Sequence, residues 1–290
     1  MTRNTSTIKT AALTASYSGL GFELSRLLLA DDYRLICIDR DTDKSAKARQ
    51  ILSSEFPSAE IVSVTADMAS SVSIMRAAQS ILEQVDHIDV LFHVAGAATA
   101  KTEFSSAGNE MHFQVNTLGP IALTHALRPA LSIGDSNAVV VLVGSSAMKM
   151  AKTLNVETLI NPPSFKKMSG PYAQSKLAIT TAFAAMSEDY KEKGILLRVV
   201  DPGPSRTAMS ESDAMPWIVR RIRRWFPLPI VGARKIFSAG VSEKFGSETG
   251  IYIERDKIVK LPAPATNQTT QEILMRLVAE CEQSSAQKAP

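Results

Sequence analysis

Short apolar runs alternate along the chain with stretches whose apolar residues recur at three- and four-residue steps. The runs Ile8–Leu13, Arg34–Ile38, Ile61–Val64, Ile88–Val94, Ala138–Val143 and Ile195–Val200 predict strands. Between them, Leu20–Ala30, Ser45–Glu55, Ser70 to about Val85, about Asn109 to Leu131 and Ser169 to about Lys193 predict helices, with Pro57 and Gly194 standing where two of them stop. A further helix is predicted over Gln271–Glu282, leaving 282–290 as a frayed tail. The strand runs lack strict alternation of apolar and polar residues, so helices cover both faces of the sheet, and helices between successive strands make it parallel. Right-handed crossovers then give an α/β fold, a doubly wound parallel sheet in a single domain over 1–290 with one long insertion at about 204–232.

Composition narrows the function. At 290 residues and 45% hydrophobic content, the chain has the length of one α/β domain and enough apolar side chains for a sheet buried on both faces. A net charge of +3 and an aromatic share of 6% exclude the basic, base-stacking surface of a nucleic-acid binder. Cys37 and Cys281 lie far apart, in neither a disulfide framework nor a metal-ligand spacing, and read as reduced thiols of a cytoplasmic protein. His87, His112 and His125 also lack metal-ligand spacing and are assigned to surfaces or helix faces, so no metal is expected. The polar start, Met1–Lys9, has no secretory apolar core, and no run of about 18 apolar residues occurs, the pattern of a soluble chain.

Two places carry chemistry. In the stretch Ser169–Lys193, Tyr172 and Lys176 fall one helical turn apart on one face. A fixed positive charge favours phenolate over phenol, so Lys176 is expected to pull the Tyr172 pKa down from its usual value of about 10. Such a tyrosine passes a proton to or from an alcohol or ketone oxygen. The other place is Leu13–Gly21, which follows a strand and opens a helix, where backbone amides and the positive helix end hold a pyrophosphate. Gly19 and Gly21 let the backbone approach the phosphates, as in Rossmann-like dinucleotide sites. Asp39 closes the next strand 18 residues after Gly21, placed either to accept from the ribose hydroxyls of an adenosine or to N-cap the following helix. A carboxylate there repels a 2′-phosphate and favours NAD, whereas Arg40 could pair with that phosphate and favour NADP. NAD is the leading expectation and NADP the alternative.

In this arrangement the chain resembles the short-chain dehydrogenase/reductase family over roughly residues 7 to 260. The turn Thr14-Ala15-Ser16-Tyr17-Ser18-Gly19-Leu20-Gly21 is similar to the family's Thr-Gly-x-x-x-Gly-x-Gly, with Ala15 in place of the first glycine. Thr65-Ala66-Asp67-Met68 resembles the segment whose Asp contacts adenine, and Val94-Ala95-Gly96 the end of Asn-Asn-Ala-Gly, with His93 and Val94 in place of both asparagines. Asn116, Gly144-Ser145-Ser146, and the pair Tyr172 and Lys176 resemble the catalytic motifs, and Pro202-Gly203 through Thr207 the stretch that cradles the nicotinamide. The resemblance implies an NAD(P)-dependent oxidoreductase with Asn116, Ser146, Tyr172 and Lys176 as catalytic residues. Ser146 would hold the substrate oxygen, with Ser145 as its rival, and Asn116 would help hold a water that relays protons from Lys176. The cofactor residues implied are Thr14, Ser16, Ser18, Gly19, Leu20, Gly21, Asp39, Arg40, Asp67, Met68, Ala95, Gly96, Pro202, Gly203 and Thr207, together with Tyr172 and Lys176. Ala15 is expected to be tolerated in its turn, while loss of the asparagines at 93 and 94 removes bonds that brace the central strands.

The 25 residues between Ser146 and Tyr172, and the C-terminal segment from Thr249, resemble the retinol-dehydrogenase-like branch, which implies a lipophilic alcohol, aldehyde or ketone as the small-molecule substrate, and the family implies a homo-oligomer. The stretch 215–227 sets Trp217, Ile218, Ile222 and Trp225 against four arginines, as in a basic amphipathic helix. A substrate lid is its leading reading, then an ordinary packed helix, and contact with an anionic membrane last. Two other functions are open: a non-redox step of a biosynthetic pathway on the same fold, and a catalytically silent nucleotide-binding regulator.

Overall fold

The computed structural model describes residues 8–132 and 137–287. The chain runs β1 (Thr10–Thr14), α1 (Gly19–Ala30), β2 (Arg34–Asp39), α2 (Thr42–Glu55), β3 (Ile61–Thr65), α3 (Ser71–Leu82) and β4 (Val90–His93). There follow α4 (Met111–Phe113), a π-helical turn over Gln114–Leu118, α5 (Gly119–Leu131), β5 (Ala138–Val143), α6 (Pro171–Lys191) and β6 (Ile195–Asp201). The last part comprises α7 (Ala208–Glu211), α8 (Trp217–Ile222), α9 (Pro229–Val241), β7 (Ile251–Glu254), β8 (Lys257–Val259), α10 (Ala263–Thr266) and α11 (Gln268–Gln287).

The eight strands form one sheet in the order β3-β2-β1-β4-β5-β6-β7-β8, parallel except for β8. The chain winds outward from β1 in one direction and returns to lay β4 on its other side. The strand order therefore reverses between β1 and β4, where a crevice opens at the carboxyl ends. Each face carries its own apolar core. On one, α3, α5, α6 and α11 bury Ile74, Leu123, Leu127, Leu177, Phe183 and Leu274. On the other, α1 and α9 bury Leu24, Leu28 and Ile236 against Phe92 and Val141. Arg198, fully buried on β6, fixes the end of α9 by donating to the carbonyls of Ala239 at 2.8 Å, Glu248 at 3.1 Å and Gly246.

Several elements depart from expectation. The predicted helix over about 109–131 contains the π-helical turn, a distortion that commonly marks functional positions. The helix α9 escaped the sequence reading because Gly232 and Gly240 argue against helix, yet both glycines admit neighbours. A Cβ at Gly232 would lie 2.7 Å from Leu20 Cδ2, and one at Gly240 2.5 Å from the Phe92 ring. The β7–β8 hairpin turns at Arg255 and Asp256, both left-handed (φ 51° and 61°) without the usual glycine or asparagine signal. Residues 282–287 continue α11 rather than fraying, while 288–290 lie outside the described residues.

The bracing expected to be lost with the asparagines comes from other residues. Thr14 Oγ1 accepts the amides of Val94 at 3.0 Å and Ala95 at 2.9 Å, tying β1 to the end of β4. His93 Nε2 donates to Thr124 Oγ1 at 2.8 Å, whose own proton goes to Pro120 O; burial lowers the His93 pKa to about 3, keeping it neutral. Ala15 does not sit as comfortably as expected. Its φ is +58°, left-handed backbone in which a Cβ is strained. Ala15→Gly is therefore predicted to stabilise the protein by about 1 kcal/mol, read from urea unfolding; a loss of stability would contradict the strain.

Candidate active site

The inner face of α6 supplies the centre. Pro171 opens the helix, and Tyr172 and Lys176 follow one turn apart, both buried. Lys176 Nζ donates to Val143 O at 2.8 Å, at the end of β5. Ser175, on the same helix, accepts from Asn116 Nδ2 at 3.1 Å, and Thr117 Oγ1 donates to Ser175 O at 2.9 Å, so the π-helical turn is fastened to α6. Asn116 also grips the backbone of Ala97, accepting its N–H at 2.8 Å and donating to its carbonyl at 3.0 Å. Gly96 lies over these groups. A Cβ there would sit 3.3 Å from Asn116 Oδ1 and 3.8 Å from Lys176 Nζ, so glycine lets the loop after β4 lie close to both.

The electrostatics differ from those expected. Burial pushes the Tyr172 phenol above its ordinary pKa, with Asp201 adding to the rise, and a hydrogen bond with Ser145 is what pulls it back. The predicted lowering by Lys176 does not hold in this structure, because the ammonium is turned to the Val143 carbonyl. Burial likewise lowers Lys176 to about 8, opposed by Asp201. The two serines are placed differently. Ser145 is the serine that bears on the phenol, pulling its pKa back, and its Oγ accepts Ala147 N at 3.2 Å, whereas Ser146 has an exposed side chain and gives its backbone N–H to Asp201 Oδ2 at 2.9 Å. Asp201 also accepts from Gly203 N at 2.8 Å, where φ is +79°, and so joins the turns after β5 and β6. Thr207 caps α7 in a reciprocal pair with Ser210, and Pro202 O accepts from Lys235.

A cleft of about 490 Å³ runs along the crevice. Arg40, Asp67 and Met68 line one end, Thr14, Ala15 and Tyr17 the middle, and Ala95, Gly96, Met209 and Ser212 the other end. Ser18 caps α1, its Oγ bonded to Ala15 O and Gly21 N, and a Cβ at Gly21 would lie 2.1 Å from Ala15 O. Gly19 packs against Pro229 and Thr207, and Leu20 against Gly232. The glycine cradle at a helix N-terminus fits a dinucleotide pyrophosphate.

Asp39 does not take its expected place. Its buried carboxylate accepts from Ser16 N at 2.7 Å, Ser16 Oγ at 2.6 Å and Ser45 Oγ at 2.6 Å, and it does not line the cleft. Burial still holds its pKa above the ordinary value. Asp41, rather than Asp39, is the N-cap of α2. Arg40 is exposed at the cleft and has no carboxylate partner among the described residues.

Residues 9–215 match the sequence profile of the family described as short chain dehydrogenase. The chain belongs to the short-chain dehydrogenase family. As a short-chain dehydrogenase near the retinol dehydrogenase branch, it is an NAD(P)-dependent oxidoreductase. It is 25% identical to human retinol dehydrogenase 13, over 97% of this chain and 86% of that protein. It is 26% identical to polyprenol dehydrogenase of Danio rerio, over 84% of this chain and 78% of the relative. Among solved structures, an uncharacterised protein of Mycobacterium paratuberculosis aligns with a TM-score of 0.73 at 22% identity, over 95% of this chain and 93% of that one. The Pseudomonas aeruginosa RhlG/NADP active-site complex gives a TM-score of 0.65 at 22% identity, over 86% and 94%.

In this short-chain dehydrogenase, sequence reasoning missed one pair beside the site. Glu110 and His112 are buried, with His112 Nδ1 2.5 Å from Glu110 Oε1. His112 Nε2 accepts the amide of Thr99 at 3.0 Å, leaving Nδ1 to face Glu110. That ring meets Tyr172 edge-on at 5.9 Å. The surface or helix-face position expected for His112 does not hold, since the ring is buried and holds the loop after β4 at Thr99.

The Lys176 shift predicts a pH signature. Its folded pKa, about 8, lies below the ordinary 10.5, so between these values the unfolded chain holds more protons and stability rises with pH. Urea unfolding of the cofactor-free protein should show this rise, and Lys176→Met should flatten it; an unchanged slope would contradict the burial of a charged Lys176.

Proposed function

We propose that this dehydrogenase interconverts a lipophilic alcohol and its carbonyl compound with NADP(H), using Tyr172 as general acid/base. The observation that carries the reading is the buried Tyr172 one helical turn from the buried Lys176, which Gly96 of the cleft wall covers, with Ser145 bearing on the phenol. The nicotinamide, when bound, supplies or accepts the hydride at the substrate carbon. The chain's own groups handle the oxygen. Ser145 donates to it, and Tyr172 Oη gives it a proton in reduction or takes one in oxidation. A buried phenol with a raised pKa keeps its proton at neutral pH, so the resting site is armed for carbonyl reduction. Lys176, held on the Val143 carbonyl at 2.8 Å, is placed one helical turn from the phenol to hold the nicotinamide ribose. Asn116, held by Ala97 and Ser175, keeps the loop of Gly96 against these groups.

For the cofactor, this reading favours NADP over the NAD expected from sequence. Three hydrogen bonds from Ser16 and Ser45 hold the Asp39 carboxylate inside the turn and off the cleft, which weakens both its reach to ribose hydroxyls and its repulsion of a 2′-phosphate. Arg40 remains as the cation at that end, with Lys44 nearby over the Tyr17 ring at 5.8 Å. Support for a lipophilic substrate comes from the retinol and polyprenol dehydrogenases among the relatives and from Met111, Val115 and Met209 in the cleft wall.

Single-turnover and steady-state rates test the assignment. Tyr172→Phe should lower turnover at least about 10³-fold with dinucleotide affinity held within a few-fold, and Ser145→Ala should lower it about 10²-fold. Ser146→Ala should stay within a few-fold of the wild type. Turnover surviving in Tyr172→Phe, or a larger loss in Ser146→Ala than in Ser145→Ala, would contradict these roles.

A further inference from the structure

The segment between α7 and α9 presents its apolar side chains to solvent. Trp217, Trp225, Leu228 and Ile218 are 71%, 68%, 55% and 54% exposed, with Val231 and Ile222 at 42% and 39%. Of the thirteen large apolar side chains exposed among the described residues, these six fall within fifteen positions. Both flanks are anchored, by the buried Ala214 and Met215 before α8 and by Gly232, Ala233 and Ile236 of α9 after it. Between the anchors, no residue from 216 to 231 is buried. An ordinary packed helix is therefore excluded here, and the cleft is walled by Ala208, Met209 and Ser212 rather than by this segment, as a closed lid would require.

The charge on the patch is of one sign. From Met215 to Arg234 there are five arginines and no carboxylate. The neighbouring acids are already used, Asp213 by Arg220 at 2.6 Å and Glu211 by Arg223 at 3.1 Å. Arg221 and Arg224 have no carboxylate partner among the described residues, and Arg224 lies over the Trp225 ring at 4.4 Å. Tryptophans with arginines beside them suit the boundary between phosphate headgroups and acyl chains. A second copy of this chain suits the face less well, since a two-fold contact would set arginines against arginines.

We propose that residues 216–231 dock on the surface of an anionic phospholipid bilayer, with the tryptophans in the headgroup region and Arg221 and Arg224 against lipid phosphates. Helix α8 is far too short to span a membrane, and no helix among the described residues is long and apolar enough to do so. The two ion pairs fasten the docked segment to α7 and the turn after it, whose Met209 and Ser212 line the cleft, so docking brings the mouth of the active site to the lipid.

Co-sedimentation of the full chain with phosphatidylcholine vesicles, with and without phosphatidylserine, tests this directly. Binding should be at least about ten-fold tighter on the serine-containing vesicles. The exposed-site variants W217S/W225S and R221Q/R224Q should each lose about ten-fold or more on those vesicles while dinucleotide affinity stays unchanged. Failure to pellet with anionic vesicles, or pelleting untouched by both variants, would overturn the proposal. So would a concentration-dependent dimer abolished by W217S/W225S in a protein that ignores vesicles, which would make the face an interface between copies.

Discussion

A carboxylate buried at the end of a strand must be satisfied or neutralised, and Asp39 is satisfied from within the chain by three hydrogen bonds. Those bonds decide the shape of the first turn. Ser16 is drawn to β2, the preceding Ala15 is bent into left-handed backbone, and its carbonyl takes both the amide and the hydroxyl of Ser18. Ser18 in turn caps α1 and aims the helix N-terminus into the crevice. Because the carboxylate is spent on this task, the charge left facing the cleft at that end is the guanidinium of Arg40.

The other end of the crevice works by exclusion of water. Tyr172, Lys176 and Asn116 are buried, and Lys176 and Asn116 are held by the backbone of neighbouring elements. Burial disfavours both charged forms, raising the tyrosine and lowering the lysine, so both groups favour their neutral forms more than they do in water.

Most of the sheet could be read from periodicity because a parallel sheet covered on both faces leaves long apolar runs. Ala138–Val143 falls where the run predicts it, and the remaining predicted strands fall within a few residues. What escaped reading depends on packing between distant segments. Nothing local marks α9, whose glycines are explained only by Leu20 and Phe92 from other elements. The Tyr172 and Lys176 pair was visible as spacing, but the direction of the tyrosine shift was not, since burial and the turn of Lys176 toward Val143 are tertiary facts. The same holds for Asp39. A residue type at a strand end does not reveal whether two serines, one of them six positions on, will claim its oxygens first. Ser145 and Ser146 differ only in which one the turn after β5 points at the phenol.

The competition between Asp39 and Arg40 is where this account is most exposed. Equilibrium titration of the purified protein with NADPH and with NADH, followed by nicotinamide fluorescence, addresses it without any substrate. With Asp39 held by Ser16 and Ser45, NADPH should bind at least about ten-fold more tightly, the scale of one good charge-assisted contact. Equal or tighter binding of NADH would contradict the account, because it would mean that Asp39 leaves its serines to receive the ribose.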